Sequence, residues 1–288
     1  MAHALKFLAF LMLILIQCIS TQAVRSDYSA IRILFVGNSL TYYNDVPAMV
    51  SEIYSSIDQQ YVIETDMLAQ GGYSIKQHLA NGPLESVLAD LMYDVVVLQD
   101  FGGWPLCSTS IEACSPTSEP LSRAIELVRS SGARPIWYST YHNHPAGQRE
   151  LSDEARRIAA QLNVEVADVG AALQAFISTN DSAEVFLSNH HPNTLGSWIA
   201  AATIVRSVIG KDIPGSIELD TLCRKIWQGA GLTANRLASN QEQPDTSCDR
   251  PTSSVLQEVV EAVNKTFKFV PALRASTGPK KAAPFWAA

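Results

Sequence analysis

Runs of apolar residues alternate with helical repeats along most of the chain. A β-rich run from Ile31 to Val36 is followed by a loop and then, behind Pro47, by apolar residues at helical spacing. The alternation continues with predicted strands at 61–68, 94–98, 135–139 and 164–169, and with predicted helices at 84–92, 119–130, 146–162, 171–177 and 195–209. A last amphipathic helix is predicted at 254–267.

This pattern predicts the fold class. Runs that contain only apolar residues, such as Val95 to Leu98, are typical of strands that are buried on both faces. Strands that alternate with helices predict a parallel sheet covered by helices on both sides. We therefore expect an α/β protein, a flavodoxin-like three-layer α/β/α sandwich with a mostly parallel central sheet. Ligands of such folds bind at the carboxyl ends of the strands.

The two ends of the chain differ from its middle. Residues 7–16 form an unbroken apolar run behind Lys6, and Thr21-Gln22-Ala23 follows. The run is too short to span a bilayer, which needs about 20 residues, and is typical of a secretory signal peptide. We predict a signal peptide at 1–23, one domain at 28–270, a poorly ordered tail at 271–288, and a secreted protein without a membrane span.

Cysteine content and charge narrow the class of protein. Four cysteines follow the predicted signal peptide, and an even number in an oxidising compartment predicts two disulfides. Three pairings are open, of which Cys107 with Cys114 and Cys223 with Cys248 close the shortest loops. The net charge of −7, with no basic cluster, argues against nucleic acid or an anionic membrane surface as a partner.

One serine stands where the first predicted strand ends. Gly37-Asn38-Ser39-Leu40-Thr41 follows that strand, so Ser39 lies near the start of a helix, where its own N–H can serve as an oxyanion donor. The motif is not Gly-x-Ser-x-Gly, because Thr41 occupies the last position. Taken alone, such a motif is more often a polar turn that caps a helix.

One histidine late in the chain has the chemistry to act with this serine. His190-His191-Pro192-Asn193 lies in a predicted loop before an apolar helix. Histidine titrates near neutral pH, so His191 can take a proton from Ser39 and return it to a leaving alcohol.

These two motifs, in this order, resemble the first and last blocks of the SGNH (GDSL-like) hydrolases. The resemblance spans roughly residues 31–210 and implies a serine esterase with Ser39 as nucleophile and His191 as base, working through an acyl-enzyme without a cofactor. It also implies an oxyanion hole: Gly72 stands where the family has its oxyanion glycine, and Gln99 ends the strand after which the family has its oxyanion asparagine. Together with the N–H of Ser39, these residues are the predicted oxyanion donors.

The chain departs from the family at the triad acid. The family has an aspartate three residues before the catalytic histidine, and here that residue is Ser188. Removal of the orienting carboxylate from serine proteases costs about 10⁴-fold in rate. Three alternatives are open. His191 is oriented by a backbone carbonyl or by the Ser188 hydroxyl, a carboxylate such as Asp181 or Asp100 reaches the ring instead, or the protein is slow or inactive.

Further residues at the same edge of the predicted sheet are candidates for substrate contacts. Trp104, on the loop after Gln99, either stacks on a sugar ring or anchors its loop, and His142 follows the fourth strand. The pair His142 and His144, together with His190, is a conceivable metal site, but the sequence supplies no well-placed third ligand with carboxylate support. We therefore expect no metal ion.

The sequence thus predicts a secreted serine esterase that acts on a small-molecule or glycan ester. An O-acetylated carbohydrate is favoured by the predicted export and by the aromatic residues near the site. The alternative from another class is an SGNH-fold glycan-binding protein that is catalytically weak or inactive because it lacks the triad acid. A metal-dependent hydrolase is a third alternative, and the oligomeric state is left open.

Overall fold

The computed structural model describes residues 29–58, 61–106, 118–142, 144–180, 185–215, 234–235 and 252–266. All of them fall inside the predicted domain. The predicted signal peptide and tail lie outside the described residues, as do the four cysteines. The domain bounds and the two disulfides therefore stay predictions.

A sheet forms the middle layer of the described chain. Its strands are β1 (Ser29–Gly37), β2 (Tyr61–Ala69), β3 (Val95–Gln99), β4 (Arg134–Ser139), β5 (Glu165–Asp168) and the two-residue β6 (Ala234–Asn235). The order across the sheet is β5-β4-β3-β1-β2-β6, with β1 to β5 parallel and β6 antiparallel to β2. The order of β1 to β5 is that of flavodoxin-like folds, which confirms the predicted fold class.

Helices connect the strands. They are α1 (Ser39–Tyr42), α2 (Val46–Ile57), α3 (Ile75–Asn81), α4 (Leu84–Asp90), α5 (Glu119–Ser130), α6 (Pro145–Leu162), α7 (Val169–Thr179), α8 (Thr194–Ile209) and α9 (Ser253–Thr266). The hydrophobic pattern does not predict α1 or α3, because one or two helical turns are too short to show a period. In the described part of the chain, no helix is both long enough and apolar enough to span a bilayer.

Two apolar clusters lie on opposite faces of the sheet, because successive strand residues point to opposite sides. On β1, Ile33 and Phe35 pack with α2, α7, α8 and α9, whereas Leu34 and Val36 pack with α3, α4, α5 and α6. Every residue of β3 is buried. The protein is therefore a three-layer α/β/α sandwich, and the loops that follow β1, β2 and β3 meet at one edge.

The central place of β3 predicts a large effect of Leu98→Ala. Leu98 is fully buried, whereas Met92, just before the strand, is 67% exposed. We expect Leu98→Ala to lower the free energy of unfolding by about 2–5 kcal/mol, because truncation leaves a cavity. Met92→Ala serves as the control and should change it by less than about 0.5 kcal/mol. Urea unfolding followed by circular dichroism measures both, and equal losses would contradict the burial of β3.

Candidate active site

Ser39 and His191 meet at the carboxyl edge of the sheet although they are 152 positions apart in sequence. Ser39 begins α1 directly after β1, and His191 lies in the turn before α8. His191 Nε2 lies 2.9 Å from Ser39 Oγ, which is hydrogen-bond distance. Ser39 is partly exposed and can be reached from outside. The structure thus brings together the two residues that the sequence assigns as nucleophile and base.

Asn38 holds the turn that carries Ser39. Its side-chain Oδ1 accepts a hydrogen bond from the Leu40 N–H at 3.0 Å, which caps α1. Its Nδ2 donates to the carbonyl of Tyr73 at 2.8 Å. This second bond links the loop after β1 to the loop after β2. It places Gly72, the neighbour of Tyr73, beside residues 37–41, which form the predicted nucleophile turn.

The carbonyl of Gly37 is fixed by two donors from the neighbouring chain segment. It accepts the Gln70 N–H at 3.1 Å and His78 Nε2 at 2.6 Å. A carbonyl can only accept, so Nε2 of His78 carries a proton. Burial lowers the pKa of His78, which favours the neutral ring. His78 therefore supports the nucleophile turn, and the sequence pattern does not reveal this role, because α3 is too short to show a helical period.

Two backbone N–H groups are available at this edge. The N–H of Ser39 lies in the first turn of α1, where no intrahelical acceptor exists. Gly72 lies in an exposed turn with a φ of 72°, a left-handed conformation that favours glycine. Neither N–H has a hydrogen-bond partner within the described residues. Donors of this kind can stabilise a negatively charged oxygen, as predicted for Ser39 and Gly72.

The structure corrects the prediction that the amide of Gln99 joins the oxyanion hole. Gln99 has no exposed surface. Its Oε1 accepts the Asn38 N–H at 2.8 Å and the Thr41 hydroxyl at 2.9 Å, and its Nε2 donates to the carbonyl of Asp100. The backbone N–H can only donate, so it fixes which way the amide points. A Cβ at position 37 would collide with Gln99 and Thr41, which explains Gly37.

No carboxylate faces His191 in the described part of the chain. The ring atom Nδ1 is buried and has no hydrogen-bond partner there. Ser188 is exposed and makes no hydrogen bond to the ring. The carboxylate of Asp100 is hydrogen-bonded to other groups, since its Oδ1 accepts the N–H groups of Ile75 at 3.3 Å and Phe101 at 2.7 Å. Asp181 lies outside the described residues.

Burial affects the protonation of both Asp100 and His191. It raises the pKa of Asp100 to about 6, against the effect of its two N–H donors. It lowers the pKa of His191, and the backbone of Asn189 opposes that shift. A neutral His191 can accept the proton of Ser39, so the burial favours the form that a general base requires.

Other side chains hold the turn that carries His191. The ring of Tyr43 stacks on the imidazole, with centroids 4.5 Å apart and planes 25° apart. Asn44 Nδ2 donates to the carbonyl of Pro192 at 3.0 Å. The hydroxyl of Tyr141 donates to the carbonyl of His190 at 2.8 Å. The turn is thus held from the chain after α1 and from the chain after β4.

The predicted substrate contacts have different outcomes. Trp104 is only 2% exposed and packs edge-on against Trp137 at 5.3 Å between centroids, so it anchors its loop and offers no surface to a sugar. His142 is exposed, and its Nδ1 accepts the His144 N–H at 3.0 Å in the turn before α6. The described residues contain no cluster of three His, Cys, Asp or Glu side chains that could hold a metal ion.

The sequence matches no family model and no curated protein. Among solved structures, a catalytic mutant of the acetylxylan esterase Axe2 from Geobacillus stearothermophilus matches at 16% identity and a TM-score of 0.51, over 62% of this chain and 94% of that chain. The protein has an SGNH hydrolase-type fold. A protein from Slackia heliotrinireducens described as an SGNH hydrolase matches at 25% identity and a TM-score of 0.48, over 62% of this chain and 100% of that chain. A lipase/acylhydrolase from Enterococcus faecalis matches at 20% identity and a TM-score of 0.49, over 62% and 96%.

The hydrogen bonds of Gln99 predict a structural defect in Gln99→Met. Methionine fills a similar volume but leaves the Asn38 N–H and the Thr41 hydroxyl without their buried acceptor. We expect the free energy of unfolding to fall by about 1–3 kcal/mol. Gln161→Met, on the exposed side of α6, is the matched control and should shift it by less than about 0.5 kcal/mol. Unchanged stability of Gln99→Met in urea unfolding would contradict the role of Gln99 as a buried acceptor.

Proposed function

We propose that the protein is a serine ester hydrolase in which Ser39 is the nucleophile and His191 is the general base. The observation that carries this proposal is the 2.9 Å distance between Ser39 Oγ and His191 Nε2. The two atoms meet at the carboxyl edge of a parallel sheet, which is where such folds bind their ligands. The SGNH hydrolase-type fold supports the same reaction class.

The geometry accounts for each step of ester hydrolysis. As Ser39 Oγ forms a bond to the acyl carbon, its proton passes to His191 Nε2, and the carbonyl oxygen becomes an oxyanion near the N–H groups of Ser39 and Gly72. Collapse of this intermediate breaks the bond to the alcohol, which leaves with the proton from Nε2. Water then attacks the acyl-enzyme with the same assistance, and a carboxylic acid is released.

Two features of the site limit the rate. With Gln99 buried in the support of the turn, the oxyanion hole has two backbone donors, and one side-chain donor in comparable enzymes contributes about 10²–10³-fold. His191 Nε2 can accept a proton only when the ring proton sits on Nδ1, which is buried without an acceptor among the described residues. We therefore expect slower hydrolysis than from a complete triad.

The proposal extends to an exported enzyme that acts on an O-acylated carbohydrate. Support comes from the predicted signal peptide and from the likeness to Axe2, which is an acetylxylan esterase. The second candidate is an SGNH-fold glycan-binding protein that is weakly active or inactive. It is favoured by the absence of a hydrogen-bond partner for His191 Nδ1 within the described residues.

Hydrolysis of p-nitrophenyl acetate tests the nucleophile and the base together. We expect Ser39→Ala and His191→Ala each to lose about 10³-fold or more in kcat/KM, because both act in the same proton transfer. Ser86→Ala, on the exposed surface of α4, is the matched control and should keep full activity. A fluorophosphonate probe should label the natural chain and the Ser86 variant but not Ser39→Ala.

A wild-type rate no higher than that of Ser39→Ala, in folded proteins, would overturn the enzyme proposal. Titration calorimetry with acetylated xylooligosaccharides then separates the two candidates. Saturable binding without hydrolysis is the result expected of the binding protein.

The pH dependence of kcat/KM reports on His191 in the free protein. The base must be neutral, so activity rises as pH rises through the pKa of this histidine. Because burial lowers that pKa, we expect the midpoint of the acid limb below about 6.5, the ordinary value for histidine. His190→Gln removes the neighbouring exposed ring and should leave the midpoint in place. A midpoint above about 7 would show that a negative charge faces the ring.

A further inference from the structure

The ring of Tyr43 stacks against the imidazole of His191. The two ring centroids are 4.5 Å apart and the planes are inclined by 25°, so the rings are stacked face to face. Tyr43 is half-buried. The imidazole is therefore fixed at two places, at Nε2 by the hydroxyl of Ser39 and over its face by Tyr43.

Both of these contacts come from one turn of the chain. Tyr43 is the C-cap residue that follows α1, and its N–H donates to the carbonyl of Ser39 at 2.8 Å. Any shift of this turn moves the Ser39 hydroxyl and the Tyr43 ring together. The side chain of the next residue, Asn44, donates a hydrogen bond to the carbonyl of Pro192, in the turn that carries His191. The segment 43–44 thus sets the position of the imidazole relative to the nucleophile.

The reaction proposed above makes a positive charge on this imidazole. When Nε2 takes the proton of Ser39, the ring becomes a cation whose second N–H, at Nδ1, makes no hydrogen bond within the described residues. The Asn189 backbone favours the charged form, but no carboxylate of the described residues does. The face of an aromatic ring attracts a cation whose centre lies within about 6 Å. The 4.5 Å stack meets this condition.

We propose that Tyr43 is a positioning residue that orients His191 and stabilises its protonated form, the two roles that the missing aspartate has in a complete triad. This inference rests on the proposed function. It explains how a chain with Ser188 in place of the acid can still hold the imidazole at hydrogen-bond distance from Ser39. The stabilisation is weaker than that of a carboxylate, because the charge meets a ring quadrupole instead of a full negative charge.

The experiment replaces Tyr43 by phenylalanine and then by phenylalanines with increasing numbers of fluorine atoms. Fluorination keeps the shape of the ring but withdraws the negative charge from its face. We expect kcat of ester hydrolysis to fall stepwise along the series, by about tenfold at full fluorination, with little change in KM. The same series at Tyr61, at the opposite end of β2, is the control and should leave kcat and KM unchanged.

A second readout does not depend on activity. The pKa of the His191 ring is measured by NMR titration in Ser39→Ala carrying the same Tyr43 series. It should fall with fluorination, because the protonated ring loses its stabilisation, while the same series at Tyr61 should leave the pKa of His191 unchanged. A purely structural role of Tyr43 predicts no trend in either quantity.

The outcomes separate the two proposals. Hydrolysis that is insensitive to fluorination, with a constant pKa of His191, overturns the role of Tyr43 and leaves the esterase proposal intact. A falling pKa in a chain that does not hydrolyse esters supports the stabilising contact and overturns the esterase. A fall in both kcat and pKa supports both.

Discussion

The nucleophile turn depends on hydrogen bonds from the strands on both sides of β1. On one side, Gln99 of β3 accepts the Asn38 N–H, and on the other, the chain after β2 donates to the carbonyl of Gly37. Buried backbone groups need partners, so each bond restricts the path that the chain can take. Because β1 lies between β2 and β3, the parallel order of the sheet makes both sets of bonds available. The position of Ser39 is a consequence of this arrangement.

The hydrogen bonds that hold this turn remove one candidate donor from the proposed oxyanion hole. A carboxamide at the end of β3 can either donate a hydrogen bond to a reacting oxygen or accept hydrogen bonds from the segment 38–41. Gln99 does the second. In other enzymes an oxyanion donor contributes about 3–4 kcal/mol to the transition state, while a buried N–H without an acceptor costs about 1–3 kcal/mol of stability. The chain therefore gains a well-defined turn around Ser39, and within the described residues the proposed oxyanion hole has the two backbone donors of Ser39 and Gly72.

The sequence predicts the layers of this fold better than the contacts within its site. Strands and long helices follow from periodicity, and the motifs around Ser39 and His191 indicate which loops meet. Periodicity does not show which way the last residue of a strand points. The sequence therefore places the Gln99 amide at the reacting oxygen, whereas in the structure it supports the nucleophile turn. For a similar reason the sequence leaves two alternatives open for Trp104, since a loop aromatic looks the same in sequence whether it is exposed or buried against Trp137, and the structure decides for the loop anchor. His78 and Tyr43 could not be identified, because their roles depend on contacts that no local pattern reveals.

The turn before α8 shows that the two roles of a triad acid can be separated. His190 has a φ of 65°, a left-handed conformation that costs a residue other than glycine roughly 1 kcal/mol. Hydrogen bonds offset that cost, since the Leu187 N–H donates to the carbonyl of His191 at 2.8 Å and the Tyr141 hydroxyl donates to the carbonyl of His190. The backbone therefore aims the imidazole at Ser39 without a carboxylate. Orientation is thus shared between this turn and the Tyr43 ring, whereas the described site has no negative charge facing Nδ1, so in the proposed reaction the deficit falls on the transition state, when the ring becomes positive.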